Sequence, residues 1–349
     1  MTVTTASTSG PLAFSGALPR SLRIVIAGGA GHLGRILARY FSTKGHRITT
    51  LTRNRERVHA VSSTPSIRLT LWDGRTLGDW VEELDGSDVV INLAGRSVDC
   101  RYNAANREEI LESRVASTRV LGSAIRTLAQ PPRLWLNAST ATIYRDSYDH
   151  EMDEAGELGG LEPEVPASWK LSIEVAKSWE RALFDADTPH TRKVAMRTAM
   201  VMSPEPGGIF ATLLRLTRMG LGGRWGTGRQ FMSWIHEQDL CRAIEFLVQQ
   251  ESLSGVVNIA APAPLPNCEF LTALRAACGI GFGLPSTQWM LSVGAFVLRT
   301  ETELLLKSRR VVPGRLVKDG FRFLFPQWHE AAQDLVQSWR GRRQSMEGE

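Results

Sequence analysis

The sequence predicts an α/β protein with a doubly wound parallel sheet and a small, mostly helical C-terminal lobe. Strand-like and helix-like stretches alternate from residue 22 to residue 197, and glycines separate the first strand from the first helix. The 349 residues are 43% hydrophobic and 22% charged, as in a folded soluble chain with room for two lobes. No apolar stretch approaches the roughly 20 residues that cross a bilayer, so we expect no membrane partner.

The first strand and the first helix are the best defined elements. Residues 22–27 form a β-branched run with almost no polar interruption, which is typical of a strand buried on both faces. Apolar residues in 32–43 recur at the three- and four-residue spacing of a helix that packs on one side. Strand, glycine turn and helix therefore form the first unit.

The same alternation continues along the chain. Further strands are predicted at 47–51, 67–71, 88–93, 134–137, 193–197 and 256–259. Helices are predicted at 77–84, 107–128, 169–184 and 239–249. Parallel strands joined by right-handed helical crossovers give a doubly wound sheet.

The pattern changes after residue 203. Residues 204–233 contain seven glycines and are predicted to form mobile loops. Residues 260–266, in which every second residue from 262 is proline, are predicted to be a linker. The remaining helices are predicted at 269–278, 288–298, 301–306 and 329–339.

Charge and cysteine content narrow the class of partner. The net charge of +5 suits an anionic ligand, but the basic residues are scattered and lack interleaved aromatics, so we expect no nucleic-acid partner. A much weaker alternative is nucleic-acid binding through Lys307, Arg309, Arg310, Arg315 and Lys318. Four cysteines without a CxxC pair or a metal-ligand spacing favour a reduced, cytoplasmic setting, and we expect no metal site.

A GxxGxxG motif, Gly28, Gly31 and Gly34, directly follows the first strand and opens the first helix. The first glycine allows a sharp turn, the second lets the backbone approach a pyrophosphate, and the third lets the helix pack close to the sheet. The phosphates of a dinucleotide bind at such a helix N-terminus, here beside His32 and Leu33. The motif predicts a Rossmann dinucleotide site, with an unoccupied tight turn as the alternative.

The end of the second strand predicts which dinucleotide binds. An acidic residue there would bind the ribose 2′-hydroxyl of NAD, but this chain has Arg53 and Arg55. A guanidinium pairs with the 2′-phosphate that a carboxylate would repel. NADP(H) is therefore favoured over NAD, and a solvated loop is the alternative for the two arginines.

Two further strand ends complete the predicted cofactor site. Asp73 follows the third strand, where an adenine would lie, and Leu93, Ala94 and Gly95 follow the fourth strand beside the expected nicotinamide-side ribose. Both segments also fit ordinary strand ends.

Several motifs resemble those of the extended short-chain dehydrogenases/reductases, which include nucleotide-sugar epimerases. These motifs are GGxGxLG at 28–34, NLAG at 92–95 and STATIY at 139–144. Other segments resemble the atypical epimerase-like family of bacterial YfcH, namely 112–115, 178–180, 220–239, 256–262, 310–315 and 320–323. The resemblance spans about 22–340 and implies NADP(H) binding, whereas the substrates of the family are mostly unassigned.

The catalytic members of the wider group use a Tyr and a Lys four residues later, on one helical face, to move a proton while hydride is transferred. Of the four tyrosines here, only Tyr40 has its lysine, Lys44. That pair lies at the far end of the first helix, where a core Tyr and a solvated Lys explain it. The catalytic helix of the family also carries a glutamate after the Tyr and the Lys. When that glutamate is aligned with Glu180, the Tyr position falls on Ser172 and the Lys position on Ala176.

Three residues remain as catalytic candidates. Thr140 matches the Ser or Thr that hydrogen-bonds the substrate oxygen, although a strand-end cap is an equal alternative. Tyr144 is the best-placed proton donor, with a buried structural Tyr as the alternative. Tyr102, together with Arg101 and Cys100, follows the fourth strand, where a loop would cover the nicotinamide.

Candidate substrate contacts come from the second lobe. Arg229 and Gln230 lie in a glycine-rich loop before Trp234 and His236, and we expect this loop to clamp an acid or a phosphate. For His236, which stands three residues before Asp239 at a helix start, the alternative is a packed side chain beside a capping Asp.

The predicted division of the chain follows from these sites. We expect a disordered leader at 1–20, with an organellar presequence as a minor alternative, and a tail at 341–349. An NADP-binding Rossmann domain is expected at 21–203, completed by 234–262, and a substrate-binding lobe at 204–233 and 263–340.

The sequence thus predicts an NADP(H)-dependent oxidoreductase or epimerase-like enzyme that acts on a small polar substrate between the lobes. Arg114, on the long helix after the fourth strand, is expected to face the cofactor or a carboxylate. The proton donor is unusual or is water, and a homodimer is left open. The rival is a non-catalytic NADP(H)-binding sensor or scaffold, favoured by the missing Tyr-Lys pair, whereas the loop at 220–239 favours the enzyme.

Overall fold

The elements of the fold come from a computed structural model that describes residues 20–54, 66–98, 100, 102–162, 166–286 and 306–347. The strands are β1 (Arg23–Ala27), β2 (Arg47–Thr52), β3 (Ile67–Leu71), β4 (Val89–Asn92), β5 (Leu134–Thr140), β6 (Arg192–Thr198), β7 (Met200–Met202), β8 (Phe231–Met232), β9 (Trp234–His236), β10 (Gly255–Ile259) and β11 (Leu265–Pro266). The helices are α1 (His32–Thr43), α2 (Ala104–Thr127), α3 (Ala167–Phe184), α4 (Ile209–Arg218), α5 (Glu237–Gln249), α6 (Asn267–Cys278), α7 (Gly314–Lys318) and α8 (Trp328–Glu347). None of these helices combines the length and the apolar composition that a bilayer crossing requires.

Seven strands form one central sheet in the order β10-β6-β5-β4-β1-β2-β3, and every neighbouring pair is parallel. The predicted doubly wound sheet is therefore confirmed. The chain runs outward from β1 to β3 and then returns to β4 on the other side of β1. In sheets of this kind the ligand binds beyond the carboxyl ends of the strands at this reversal point.

The central strands β1 and β4 are buried on both faces because they are almost wholly apolar. Along β1, Ile24 and Ile26 pack in one core with α1 and α5, whereas Val25 and Ala27 pack in another with α2 and Trp135 of β5. This alternation follows from the period of two along a strand. The two cores hold the sheet rigidly between helices, so the strand ends form a fixed platform.

A separate core joins α4, α6 and α8 to β9. Its aromatic centre is Trp328, whose ring stacks on Phe270 with centroids 4.0 Å apart and meets Trp234 edge-on at 5.0 Å. The indole Nε1 of Trp328 also donates to the carbonyl of Phe270 at 2.8 Å. The predicted helical C-terminal region is therefore present, and the predicted domain boundaries stay a prediction.

The loop prediction for 204–233 is wrong over α4. In this helix Phe210, Leu213, Leu214 and Thr217 are buried at helical spacing, and Gly208 is its N-cap. The glycines flank this ten-residue helix and do not interrupt it. A high glycine content over 204–233 therefore did not mean that the whole segment is a loop. The apolar face of α4 packs into the core around Trp328.

Smaller differences affect other predicted elements. Only a short 3-10 turn, Asp79–Glu83, forms within the predicted helix at 77–84. The predicted linker contains the short strand β11, which pairs with β8. Helix α8 continues to Glu347 and so takes up most of the predicted tail. Residues 1–19, the predicted helix at 288–298 and most of 301–306 lie outside the described residues.

Replacement of Trp328 tests the core around it. We expect Trp328→Ala to lower the free energy of unfolding by about 3–5 kcal/mol, because the change removes a buried indole and its hydrogen bond. The neighbouring His329 is exposed, and His329→Ala should stay within about 0.5 kcal/mol of the wild type. Denaturant unfolding followed by circular dichroism measures both, and equal stabilities of the two variants would contradict the packing described.

Candidate functional site

The glycine turn between β1 and α1 packs with its backbone directly against the backbone of the segment after β4. Gly28 adopts φ +77°, and a Cβ there would lie 2.9 Å from the amide nitrogen of Ala94. A Cβ on Gly34 would lie 2.5 Å from Cα of Gly29. Only glycine fits at these two positions, and the turn therefore brings the first turn of α1 directly against the strand ends.

The N-terminus of α1 is open to an anion. Its N-cap is Gly31, which supplies no side-chain cap, and the first turn contains no acidic residue. The first amides of a helix lack partners within the helix and lie at the positive end of its dipole. This cradle of glycine backbone and free amides fits a pyrophosphate.

Two cavities adjoin the glycine turn and share Gly28, Gly31, Leu93 and Gly95 as walls. One of about 860 Å³, here called the β2–β3 cavity, lies at the ends of β2 and β3 and is also lined by Leu51, Thr52, Arg53, Trp72 and Asp73. The other of about 550 Å³, the β5–β6 cavity, is also lined by His32, Leu33, Gly34, Tyr102, Arg114, Thr140, Ser172 and Ala176. The turn therefore stands between two compartments at the sheet's reversal point.

Arg53 supplies a free cation to the β2–β3 cavity. Its side chain is exposed and makes no hydrogen bond or ion pair with the described residues. Because none of the described residues engages it, its guanidinium is available to a ligand phosphate. Arg55, the other predicted arginine, lies outside the described residues.

Asp73, by contrast, is occupied in its own turn. Its Oδ1 accepts the amides of Arg75 and Thr76 at 2.8 and 2.9 Å, and its Oδ2 accepts the Thr76 hydroxyl at 2.6 Å. These hydrogen bonds lower the pKa of Asp73 to about 2. Asp73 lines the β2–β3 cavity and fixes the turn after β3, and its predicted place beside the adenine stays a prediction.

The segment after β4 is positioned by a buried asparagine. The Nδ2 of Asn92 donates to Oδ1 of Asn137 at 2.8 Å, and its Oδ1 accepts the amide of Ala94 at 3.1 Å. The amide of Leu93 donates to the carbonyl of Ala27 at 2.9 Å. Leu93 and Gly95 line both cavities and Ala94 lines the β2–β3 cavity, so this segment separates the two cavities. Its predicted place beside the nicotinamide-side ribose stays a prediction.

Arg114 is a half-buried cation in the wall of the β5–β6 cavity. Its Nη1 donates to the carbonyls of Arg96 and Ile110 at 3.0 and 2.9 Å, and its guanidinium lies 5.1 Å from the ring centroid of Trp179. Burial lowers the pKa of Arg114 to about 10, so it is still charged at neutral pH. A Cβ on Gly95 would lie 3.2 Å from its Cγ, so that glycine makes room for it.

The positions expected for a catalytic Tyr and Lys do line the β5–β6 cavity, but they are Ser172 and Ala176 of α3. Lys177, one residue later, donates instead to the carbonyl of Gly159 at 2.8 Å. Among the described residues that line this cavity there is no Lys, Asp or Glu. This wall therefore offers a hydroxyl and a methyl group in place of a phenol and an ammonium.

The Tyr40 and Lys44 pair serves a structural purpose. The Tyr40 hydroxyl donates to Oε2 of Glu245 at 2.6 Å, and the Lys44 ammonium donates to Oε1 of the same carboxylate at 2.8 Å. Glu245 is buried in α5, so the pair ties α1 to α5 away from both cavities. Lys44 is thus ion-paired, not merely solvated.

Thr140 and Tyr102 both line the β5–β6 cavity. The Oγ1 of Thr140 accepts the amide of Thr142 at 3.2 Å and caps the 3-10 turn Ala141–Ile143. Since the hydroxyl acts only as an acceptor there, its hydrogen can donate to a ligand. Cys100 lies outside the lining, and Arg101 lies outside the described residues.

Tyr144 lies beneath the cavity in a buried polar network. Its hydroxyl donates to Oδ1 of Asn258 at 2.8 Å and accepts from Nη1 of Arg197 at 3.0 Å. Arg197 also binds both carboxylate oxygens of Glu180 at 2.8 Å, and Ser139 donates to Oε1 of Glu180 at 2.6 Å. Burial raises the pKa of Tyr144, which is 1% exposed and does not line the β5–β6 cavity. The structure therefore favours the buried structural Tyr, the alternative to the predicted proton donor.

Gln230 and Trp234, two of the predicted substrate contacts, are core residues. Gln230 is 2% exposed and donates to the carbonyl of Trp225 at 3.1 Å, whereas Trp234 packs beside Trp328. Neither lines the two cavities, because the segment faces the helical core. Arg229 is exposed, but it too lies outside both linings.

His236 is likewise structural. Its Nδ1 accepts the amide of Gln238 at 3.1 Å and so caps α5. Nε2 lies 3.2 Å from Oδ2 of Asp334, and the ring stacks on Phe325 with centroids 4.0 Å apart. Burial lowers the pKa of His236, which favours the neutral tautomer with its hydrogen on Nε2. The structure therefore favours the packed alternative for His236, which lines neither cavity.

The sequence analysis did not predict that the start of α4 lines the β5–β6 cavity. Gly208 and Ile209 at the start of α4 line it, and a Cβ on Gly208 would lie 2.6 Å from Nε2 of His32. Neither ring nitrogen of His32 makes a hydrogen bond of standard geometry, and burial lowers the pKa of His32. The adjacent glycines at 207 and 208, placed before an amphipathic run, were the available signal.

The structure shows no candidate metal site among the residues that it describes. Within the described ranges, no three His, Cys, Asp or Glu side chains are close enough to one another to hold a metal ion.

Comparisons with known proteins agree with this architecture. Residues 24–260 match the model of the NAD dependent epimerase/dehydratase family, and residues 288–335 match a domain of unknown function, DUF1731. Epimerase family protein SDR39U1 of Bos taurus is 30% identical over 320 residues, which are 90% of this chain and 100% of that protein. Epimerase family protein MT2273 of Mycobacterium tuberculosis is 30% identical over 307 residues, or 86% and 93%.

A solved structure of an epimerase family protein is also similar to this chain. The crystal structure of human epimerase family protein SDR39U1 (isoform 2) with NADPH has a TM-score of 0.77 and 27% identity, and the match covers 90% of this chain and 99% of that chain. These matches confirm the family resemblance inferred from the sequence motifs.

The buried ion pair below the cavity can be tested by replacing one or both partners. Arg197→Met should lower the free energy of unfolding by about 3–5 kcal/mol, because it leaves the Glu180 carboxylate buried without its cation. The double variant Glu180→Leu/Arg197→Met should recover most of that loss, since no unpaired charge remains. Urea unfolding of both variants checks this, and a single variant as stable as the wild type would contradict it.

Proposed function

Because the chain belongs to the NAD dependent epimerase/dehydratase family, we propose that it is an NADP(H)-dependent oxidoreductase or epimerase-like enzyme. It transfers hydride to or from a small polar substrate. The observation that carries this proposal is the glycine cradle between two cavities, one of which holds the free guanidinium of Arg53. The NADPH bound in the human SDR39U1 crystal structure supports the choice of dinucleotide.

Each part of the dinucleotide has a matching surface in this chain. The amides at the start of α1 take the pyrophosphate, and Arg53 takes the 2′-phosphate of the adenosine half. The nicotinamide half enters the β5–β6 cavity past Gly95. When bound, the cofactor supplies or accepts a hydride.

The protein's own share of the chemistry lies in the β5–β6 cavity. The hydroxyl of Thr140 can donate a hydrogen bond to a substrate oxygen, and Tyr102 is the described tyrosine that lines this cavity. Apolar side chains from α2 and α3, among them Ile110, Leu171 and Val175, restrict water there. The proton donor is thus Tyr102 or a water molecule.

A second candidate function is a non-catalytic NADP(H)-binding sensor. It is favoured by Ser172 and Ala176, which leave the cavity wall without the phenol and ammonium that wider-group enzymes use. NADPH oxidation measured with aldehydes, ketones, enones and imines separates the two functions. Oxidation with one substrate class supports the enzyme, whereas tight NADPH binding without any oxidation supports the sensor.

Arg53→Asp tests the selection of NADP(H). We expect it to weaken NADPH binding by about tenfold or more, because a carboxylate repels the 2′-phosphate, while NADH binding changes by less than about threefold. Isothermal titration with each nucleotide measures this. The matched control is Arg126→Asp, an exposed arginine on α2 outside both cavities. Equal losses for NADPH and NADH would remove Arg53 from the site.

Thr140→Val tests the proposed substrate contact. Turnover of any substrate found should fall by about tenfold or more, because the variant lacks the hydroxyl donor, whereas the dissociation constant for NADPH should stay within about twofold. Thr140→Ser keeps the hydroxyl and should keep most of the activity. Unchanged turnover in Thr140→Val would exclude Thr140 from catalysis.

A further inference from the structure

Arg114 is the cation of the β5–β6 cavity for which the described residues provide no counter-ion. Both hydrogens of its Nη1 are used by the carbonyls of Arg96 and Ile110, and no carboxylate pairs with the guanidinium. Its Nε and Nη2 make no hydrogen bond with any residue that the structure describes. That edge, with two parallel N–H groups, is the geometry that binds a carboxylate through two oxygens.

The other arginine of this cavity is already neutralised. Arg96 forms an ion pair through Nη1 with Glu109, and its Nη2 donates to Oδ1 of Asn106 at 2.9 Å. Since no Asp or Glu lines the cavity among the described residues, Arg114 leaves an uncompensated positive charge there. A half-buried, unpaired cation is costly unless a ligand anion joins it.

The proposed cofactor does not supply that anion. Its pyrophosphate is matched by the N-terminus of α1, and its 2′-phosphate by Arg53 in the β2–β3 cavity. Arg114 lines the opposite compartment, with Tyr102, Ile110 and Val175, where the substrate of the proposed reaction would lie. The guanidinium is held in place by Trp179 and by two carbonyls, so its free edge is pre-oriented.

We propose that the substrate is a small carboxylic acid whose carboxylate is bound by Nε and Nη2 of Arg114. This inference rests on the proposed function, because it assigns the acid to the substrate compartment beside the nicotinamide. Arg114 is then a specificity-determining residue: it selects acids over their uncharged amides. The fold already holds it rigid, so binding requires little reorganisation of the protein.

The test compares acids with their amides on the full chain loaded with saturating NADP⁺. The probes are pyruvate, levulinate and benzoylformate, each beside its amide, and binding is measured by isothermal titration. In the wild type we expect one or more of the acids to bind about tenfold more tightly than its amide, as charge-assisted hydrogen bonds imply. Arg114→Met should reduce that preference to within about twofold, and Arg114→Lys should keep part of it.

Two controls separate the possible failures. Arg119→Met replaces an exposed arginine of the same helix and should keep the acid preference. NADP⁺ affinity should change by less than about threefold in all variants, since Arg114 is assigned to the substrate. The thermal midpoint of each variant shows whether it is folded.

Three results would overturn the proposal. They are equal binding of all three acids and their amides by the wild type, an acid preference that survives Arg114→Met, or a loss of NADP⁺ affinity of about tenfold in Arg114→Met, which would assign Arg114 to the cofactor. A wild-type chain that binds no NADP(H) defeats the proposed function instead. The acid titrations are then repeated without nucleotide, where an Arg114-dependent preference still supports the carboxylate site.

Discussion

Close backbone contact at the turn after β1 determines where every other part of the site can stand. The space beside Gly28 and Gly34 is filled by main-chain atoms of the β4 end and of the turn itself. Any side chain there would push α1 away from the sheet, so the helix amides would no longer reach the crevice. Because the same residues separate the two cavities, this contact sets both the anion site and the division of the ligand between compartments.

The two cavities differ in the groups that line them. On the side of β2 and β3 a ligand meets backbone amides and two exposed arginines, Arg53 and Arg75, so this surface depends on the course of the chain and on those two side chains. On the side of β5 and β6 it meets side chains of α2 and α3, held from below by the Glu180–Arg197 ion pair. Cofactor binding therefore follows from the fold, whereas the proposed substrate choice depends on individual side chains such as Arg114 and Thr140.

Local patterns allowed much of the fold to be predicted from the sequence. The central strands are continuous apolar runs, α1 has a clear helical period, and the glycine motif lies between them, so these elements and the cofactor half of the site follow from neighbours in the chain. Leu93, Ala94 and Gly95 could be placed for the same reason, because the ends of parallel strands meet at one edge of the sheet.

What could not be predicted depends on contacts between distant segments. Nothing near Tyr144 in the sequence indicates that Arg197 and Asn258 will surround its hydroxyl, and His236 meets Asp334 of α8 only through the tertiary fold. Helix α4 was hidden because glycine content suggested a loop, although its apolar spacing is helical. The missing Tyr-Lys pair was visible in the sequence, but the charge imbalance at Arg114 required the packing of α2 against the β4 end.

The most direct measurement is hydrogen–deuterium exchange of the full chain with saturating NADPH and, separately, with saturating NADH. We expect both NADPH and NADH to slow amide exchange in 28–34. In 51–54, where Arg53 would contact the additional phosphate, we expect NADPH but not NADH to slow exchange. Unchanged exchange in 28–34 with both nucleotides would contradict the account of this crevice as a dinucleotide site.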